Sequence, residues 1–265
     1  MTAPDHAAPA YVAGHDLQRD KVVAVTAGAG AGIGAAVVRR ALEEGARAVV
    51  LSDTHERRLA EAEESLAAEF GAGRVRQVVC DVTDEAQVTA FLDAAEEVGG
   101  VDVLINNAGL GGTASILEMT DEQWSRVLDV TLTGTFRCVR AAGRQMVAAG
   151  KRGVIVNNAS VVGWRAQEGQ AHYAAAKAGV MALTRCSAID LAPHGIRVNA
   201  VSPSLAMHPF LAKVTSDELL AELKQREAFG RAAEPWEVAN VMVMLASDYA
   251  SYMTGEVVAV SSQQA

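Results

Sequence analysis

Tyr173 and Lys177 stand four positions apart in the run Tyr173-Ala-Ala-Ala-Lys177, and Ser160 lies thirteen residues upstream. The stretch from His172 to Leu183 is alanine-rich and free of proline, so it predicts one helix with the phenol and the ammonium leaving the same face. Ser160 follows Gly153-Val-Ile-Val-Asn157, which reads as a buried strand, and the C-terminal end of such a strand is where an open α/β sheet holds its ligands. A free phenol titrates near ~10 and is a poor base at neutral pH. An ammonium about 4 Å away, at an effective dielectric of about 20, favours the phenolate by roughly 4 kcal/mol, or about three pKa units. Tyr173 is therefore expected to titrate near neutrality and to exchange a proton with an alcohol or ketone whose oxygen Ser160 holds. Taken alone, the pair also fits an amphipathic helix with one buried tyrosine and one solvated lysine; its weight comes from the motifs around it.

Those motifs lie in the first half of the chain. Thr26-Ala-Gly28-Ala-Gly-Ala-Gly32-Ile33-Gly34 follows a short β-branched run and opens a helical pattern. In that position a Gly-rich turn lets backbone N–H groups approach a pyrophosphate at a helix N-terminus. Asp53 ends the second strand, nineteen residues after Gly34. A carboxylate there accepts from both ribose hydroxyls and repels a 2′-phosphate, so NAD(H) is favoured and NADP(H) stays possible. Asp53-x-x-Glu56 also resembles a helix capping box, and Arg57 and Arg58 lie near enough to offset the repulsion. Asp81-Val82 and Asn106-Asn107-Ala108-Gly109 close the third and fourth strands, and suit an adenine slot and close backbone approach, or are ordinary turns.

The elements that must position these groups alternate. Val22–Thr26, Ala48–Leu51, Val75–Val79, Val103–Ile105, Val154–Val156, Arg197–Val201 and Val257–Val260 read as strands. Between them Ile33–Glu44, Glu56–Phe70, Glu85–Val98, Asp121–Ala149, His172–Ala192 and Pro235–Ser247 read as helices. The expectation is an α/β, doubly wound, Rossmann-type domain over residues 21–265, with a mostly parallel seven-stranded sheet and helices on both faces. Residues 1–20 read as a tail, and 204–233, with a helix over Thr215–Glu227, as a substrate lid. At 265 residues, 50% hydrophobic and 21% charged, the chain can bury a large core. A net charge of −9 argues against nucleic acid and anionic membranes as partners. The longest apolar runs are strand-sized, no secretory leader is read, and a cytoplasmic protein is expected. Cys80, Cys138 and Cys186 signal neither a disulfide framework nor a metal site.

Gly28-x-x-x-Gly32-x-Gly34, Asp81-Val82, Asn106-Asn107-Ala108-Gly109, Ser160, Tyr173-x-x-x-Lys177, Arg197-Val-Asn-Ala-Val-Ser-Pro203 and Thr254-Gly255 together resemble the short-chain dehydrogenase/reductase family from about Lys21 to Val260. The resemblance implies Tyr173 as acid/base, Lys177 lowering its pKa and holding the nicotinamide ribose, and Ser160 orienting the substrate. It implies Gly28, Gly32, Ile33 and Gly34 at the phosphates, Asp53 at the ribose, Asp81 and Val82 at adenine, and Asn107, Ala108, Gly109 and Pro203 beside the cofactor. It also implies a homotetramer or homodimer built partly on the helices Asp121–Ala149 and His172–Ala192.

The chain departs from the family pattern at several points. One extra residue lies between Thr26 and Gly32, and Thr131 stands where an Asn usually supports a water relay to the lysine; its hydroxyl could still hold that water, so Thr131 is counted with Ser160, Tyr173 and Lys177 as catalytic. Ser204 follows Pro203 where Gly is common, His208 stands near a usual Thr, and the tail Val260-Ser-Ser-Gln-Gln-Ala265 lacks the usual Asp-Gly-Gly. These departures resemble a subfamily of bacterial steroid-ring breakdown whose members oxidise a ring hydroxyl on an acyl-CoA.

Val162, Trp164, Gln167, Leu205, Met207 and Phe210, with Val161 and Leu211, are expected around the substrate. Most are apolar, which predicts a bulky hydrophobic alcohol or ketone, or an acyl-CoA. Lys213, Lys224, Arg226 and Arg231 could meet a CoA phosphate or form a solvated helix face. The competing readings are an NADPH-dependent carrier-protein reductase and a catalytically silent nucleotide-binding sensor or scaffold.

Overall fold

The structure is a computed structural model that describes residues 14–207 and 217–263. Seven strands form one parallel sheet: β1 Val22–Val25, β2 Ala48–Asp53, β3 Val75–Val79, β4 Val103–Asn106, β5 Val154–Asn158, β6 Arg197–Pro203 and β7 Val257–Val260. Their order is β3-β2-β1-β4-β5-β6-β7. The chain leaves β1 toward β2 on one side and returns to β4 on the other, so the topological switch, and the crevice it opens, lies at the C-terminal ends of β1 and β4. The doubly wound sheet expected from the alternation is present.

Period-two alternation sends each strand's side chains to two separate cores. Val23 and Val25 of β1, Val49 and Leu51 of β2 and Val154 and Val156 of β5 face one layer. This layer comprises α1 (Ile33–Glu43), α2 (Glu56–Phe70) and the last helix, Pro235–Ala246. Val22, Ala24, Val50, Leu104 and Ile155 face the other, against Phe91 and Leu92 of α3 (Glu85–Glu96) and Cys138, Ala142 and Met146 of α5 (Gly134–Ala148). Because both faces are covered, the central strands read as unbroken apolar runs. Cys80 and Cys138 belong to the second core, and burial pushes the Cys80 thiol up to about 12.

Two elements differ from the sequence reading. The single helix expected over Asp121–Ala149 is divided into α4 (Asp121–Leu128), a π-helical turn (Asp129–Thr133) and α5. The turn is held from outside the helix, because Thr131 bonds the loop after β4 while Thr135 Oγ1 donates to Thr131 O at 2.8 Å. The alternative of a cap at Asp53 is not realised either: α2 starts after His55, and Asp53 instead accepts from the His55 N–H at 3.1 Å. The remaining helices are α6 (Ala171–Leu191), α7 (Asp217–Gln225) and α8 (Pro235–Ala246).

Residues 14–20, the described part of the segment read as a tail, pack on α1 and α8. The carboxylate of Glu44 is fully buried; it accepts from the His15 and Leu17 N–H groups at 2.7 and 3.0 Å and pairs with Arg40 at 2.7 Å. Gln18, also buried, donates to Val243 O of α8. Glu44→Ala would leave Arg40 buried without this carboxylate and release the segment. It should lower unfolding stability by about 3–5 kcal/mol, read as a fall in the urea midpoint at unchanged m-value.

Candidate active site

Ser160 lies just beyond β5, in extended backbone that caps a short 3₁₀ turn (Val161–Gly163); its Oγ accepts from the Val162 N–H at 3.3 Å. Tyr173 and Lys177 sit one turn apart in α6, which packs on β6 and on the 3₁₀ turn after Ser160. Ser160 is close enough to the Tyr173 phenol to act on its pKa. Lys177 is almost completely buried; its Nζ donates to the Asn158 carbonyl at 2.5 Å and lies 5.6 Å from the Tyr173 ring centroid. The three predicted groups are together, as the helix spacing and strand end require.

Their electrostatics differ from the sequence expectation. Burial raises the Tyr173 pKa above its ordinary value, with only the Ser160 hydrogen bond opposing it. Burial also pulls the Lys177 ammonium down to about 8. The expected depression of Tyr173 by an ammonium at about 4 Å is therefore not found: Nζ faces the ring and the Asn158 carbonyl, and a dry site penalises both charged forms. The site holds a neutral phenol above a lysine that is still mostly charged at pH 7.

Thr131 is fully buried and lies close to Lys177, with Gly109 between them: a Cβ on Gly109 would stand 3.4 Å from Lys177 Nζ and 3.7 Å from Thr131 Oγ1. Its hydroxyl donates to Leu110 O at 3.1 Å and accepts from Leu110 N at 2.9 Å. Its one proton is thus spent on the loop, so Thr131 pins Gly109–Leu110 instead of holding a relay water as a donor.

The dinucleotide side is built from the turn after β1. Gly32 is the N-cap of α1, no side chain caps it, and nothing lies within 4 Å of where its Cβ would be. The turn carries Ala27 (φ 49°) and Gly30 (φ 87°) in the left-handed region. Gly34 is obligatory, since a Cβ there would fall 2.2 Å from Ala27 O and 2.5 Å from Asn107 Nδ2. Gly28, buried behind the turn, donates to Ser52 O at 2.8 Å. Ile33 is half-buried at the first helical position. An open, uncapped helix N-terminus beneath a Gly-rich turn fits a pyrophosphate.

Asp53, at the end of β2, is nearly buried and its Oδ1 pairs with Arg58 Nη2 at 3.2 Å; desolvation raises its pKa and Arg58 opposes the rise. Asp81 folds onto Thr83, accepting from its N–H and hydroxyl at 2.9 and 2.8 Å, and Val82 packs against Gly134. Pro203 is buried at the end of β6.

Sequence reasoning named Asn106 and Asn107 but missed the bonds by which they, with Thr26, Asn157 and Asn158, join these parts. Thr26 Oγ1 accepts from the N–H groups of both Asn107 and Ala108, at 2.9 and 3.0 Å. Asn107 Nδ2 donates to Ala27 O at 3.1 Å, and its Oδ1 accepts from Asn158 Nδ2 at 3.0 Å. Behind them Asn106 donates to Asn157 and Asn157 to Thr184, at 2.8 and 2.9 Å, entirely inside the protein. The signal available in the sequence was the density of amides at the strand ends, which ordinary turns also show.

Of the residues expected around a substrate, Val162 is half-buried beside Ser160, Trp164 is 50% exposed and Gln167 is half-buried. Leu205 and Met207 are half-buried and fastened by backbone bonds to Ala233. Phe210, Leu211, His208 and Lys213 lie outside the described residues. Of the cations considered for a CoA phosphate, Arg226 pairs with Glu222 at 2.6 Å and Arg231 forks onto Glu237 at 2.6 and 2.8 Å. Arg226, 53% exposed, fits the solvated-face reading, whereas Arg231 lies outside a helix and is 18% exposed, so its pair with Glu237 is partly buried; Lys224 is half-buried on α7.

A parallel sheet with an anion-binding turn at its switch point and a Ser, Tyr and Lys at its C-terminal edge defines a dinucleotide-dependent oxidoreductase. The chain belongs to the short-chain dehydrogenase/reductase family, whose members use NAD(P)(H) on alcohols and ketones: a family model described as enoyl-(acyl carrier protein) reductase matches residues 28–262. It is 62% identical, over 97% of both chains, to (5R,7aS)-5-hydroxy-7a-methyl-1-oxo-2,3,5,6,7,7a-hexahydro-1H-indene-carboxyl-CoA reductase of Mycobacterium tuberculosis. It is 44% identical to cis-4-hydroxycyclohexanecarboxylate dehydrogenase of Sinomonas cyclohexanicum, over 90% of this chain and 94% of that one. A crystal structure of a short-chain dehydrogenase from Mycobacterium smegmatis superposes with a TM-score of 0.86 at 57% identity, covering 98% of this chain and 99% of that one. No described helix is long and apolar enough to cross a membrane.

Thr26→Val tests the joint between the halves of the site, because it keeps the shape and orphans two amide donors. Stability should fall by roughly 1–3 kcal/mol per orphaned donor, and the NADH Kd, measured by fluorescence titration, should rise about tenfold. A dissociation constant equal to wild type would place Thr26 outside the nucleotide site.

Proposed function

We propose that this chain interconverts a secondary ring alcohol and its ketone on a hydrophobic carboxyl-CoA ester, with NAD(H) preferred, in a cytoplasmic homo-oligomer. The carrying observation is the convergence of Ser160, Tyr173 and Lys177 after β5, joined through Asn158 and Asn107 to the Gly-rich turn before α1. The 62% identical relative, named for a carboxyl-CoA ring substrate, supports the substrate class, and the half-buried apolar Val162, Leu205 and Met207 support a hydrophobic ring.

Bound there, the dinucleotide supplies or accepts the hydride. Gly32, Ile33 and Gly34 would hold its phosphates, Asp53 and Lys177 its riboses, Asp81 and Val82 its adenine, and Asn107, Ala108, Gly109 and Pro203 its nicotinamide end. Ser160 holds the substrate oxygen. Tyr173, neutral when the site is dry, donates its proton to a ketone oxygen in reduction and is left as the phenolate; in oxidation the phenolate takes the hydroxyl proton. The Lys177 ammonium, kept in place by Asn158 O, stabilises the phenolate between these states. Val162, Trp164, Gln167, Leu205 and Met207 would enclose the ring.

The carboxylate of Asp53 supports NAD(H), since a 2′-phosphate would meet its charge. Arg58 beside it, 43% exposed, is the feature that favours the second reading, an NADPH-dependent carrier-protein reductase. For assembly, α5 and α6 leave a groove of about 560 Å³ whose lining includes Phe136, Val139, Val147, Leu183 and Leu191. Phe136 and Val147 are partly exposed there, which supports pairing with a second copy.

Tyr173→Phe should reduce kcat for the ring alcohol by about 10²–10⁴-fold while NADH binding stays within about twofold of wild type; binding without turnover in wild type as well would indicate a sensor. Wild type should use NAD⁺ with kcat/KM at least about tenfold above NADP⁺, a gap of ~1.4 kcal/mol, and Asp53→Ala should narrow it. Equal use of both cofactors by wild type would remove the Asp53 argument.

A further inference from the structure

Ser204 and the tail Ser261-Ser262-Gln263, two of the points where the chain departs from its family's pattern, meet at one side chain. Glu227, just past α7, is 2% exposed. Its Oε2 accepts from Ser204 Oγ at 3.0 Å, Ser262 Oγ at 2.8 Å and Ser262 N at 3.3 Å, and its Oε1 accepts from Leu205 N at 3.3 Å. Glu227 and Gln263 form an isolated antiparallel bridge, and Ala228 N donates to Ser262 O at 2.7 Å. The tail then reaches the loop behind Ser160, where Arg165 Nη1 donates to Gln263 Oε1 at 2.7 Å.

A carboxylate taken out of water is stable only where its lone pairs are filled, and hydrogen bonds to an ionised acceptor are stronger than neutral ones. Glu227 therefore draws the exit of β6 and the C-terminal strap onto one point. The two serine hydroxyls are what glycine at these positions would not supply. Across the same β6 exit, Ala233 N donates to Leu205 O and Met207 N to Ala233 O, so Leu205–Met207 is held on both sides.

We propose that Glu227 is a positioning residue: through Ser204 and Ser262 it uses the strap Ser261–Gln263 to hold two walls of the substrate crevice, residues 204–207 and 162–167, in register with Ser160 and Tyr173. It rests on the function proposed above only in taking those two segments as the borders of the substrate. Glu227 touches none of the reacting groups, so its loss acts on substrate binding and leaves proton transfer and dinucleotide binding intact.

The test compares wild type, Glu227→Ala, Glu227→Gln and Ser262→Ala by amide hydrogen exchange. It also compares steady-state kinetics with NAD⁺ and the 5-hydroxy-hexahydroindene carboxyl-CoA ester. In Glu227→Ala, amides in 162–167 should exchange at least about fivefold faster while those of α1 stay as in wild type. KM for the ester should rise about tenfold, the effect of one lost charged hydrogen bond, with kcat and the NADH Kd within about twofold. Glu227→Gln, which can still accept at one oxygen, should fall between. Wild-type exchange over 162–167, or a loss of kcat at constant KM, overturns the proposal. If wild type does not turn over the ester, the substrate assignment falls and the exchange comparison still decides the strap. If Glu227→Ala does not fold, Ser262→Ala, which keeps the backbone N–H and removes one hydroxyl, carries both readouts.

Discussion

The site depends on one buried charge. Lys177 is held by the carbonyl of Asn158, the last residue of β5, at 2.5 Å. Burying an ammonium in a site this dry is expensive, and its pKa falls to about 8 as a result. The cost is tolerated because the acceptor is fixed by the sheet. Asn158 is in turn tied through its side chain to Asn107, and Asn107 to Ala27 and Thr26. The Gly-rich turn, the loop after β4 and the catalytic helix thus share one hydrogen-bonded frame, and a shift in any of them moves the lysine.

This frame also explains the interruption between α4 and α5. A regular helix would carry Thr131 past the loop at Gly109–Leu110, whereas the π-helical turn lets its hydroxyl serve both the N–H and the C=O of Leu110. π-helical turns inside helices recur at functional sites because they redirect one side chain at the cost of local regularity. Here the redirected group holds the backbone next to Lys177. The same constraint limits what Thr131 can do: a hydroxyl has one proton, and it is already committed.

Much of the architecture was legible in the chain because parallel strands buried on both faces leave apolar runs that only turns and helices interrupt. The meeting of Tyr173 and Lys177 was legible from helix periodicity, and Ser160 from its place after a strand. The π-helical turn was not, since nothing local to Asp129–Thr133 marks it; its cause is a loop some twenty residues earlier in the sequence. The direction of the Tyr173 shift was misjudged because it depends on where Nζ points and how dry the site is, and spacing carries neither. Asn158 and Thr26 carry no signal of their own in the chain, and only their partners across the sheet give them a role. Ser204 and the tail were visible as departures from the family pattern, but that they share Glu227 is a tertiary fact.

The central claim is that Lys177 sits in a dry pocket beneath Tyr173, charged at neutral pH and fixed by Asn158. It is tested most directly by titrating Lys177 in the cofactor-free protein by NMR of its ¹³Cε. A midpoint of about 8, absent from the spectrum of Lys177→Met, is the result the structure predicts. A midpoint at the ordinary lysine value of ~10.4 would mean that the ammonium is solvated, and would contradict the account.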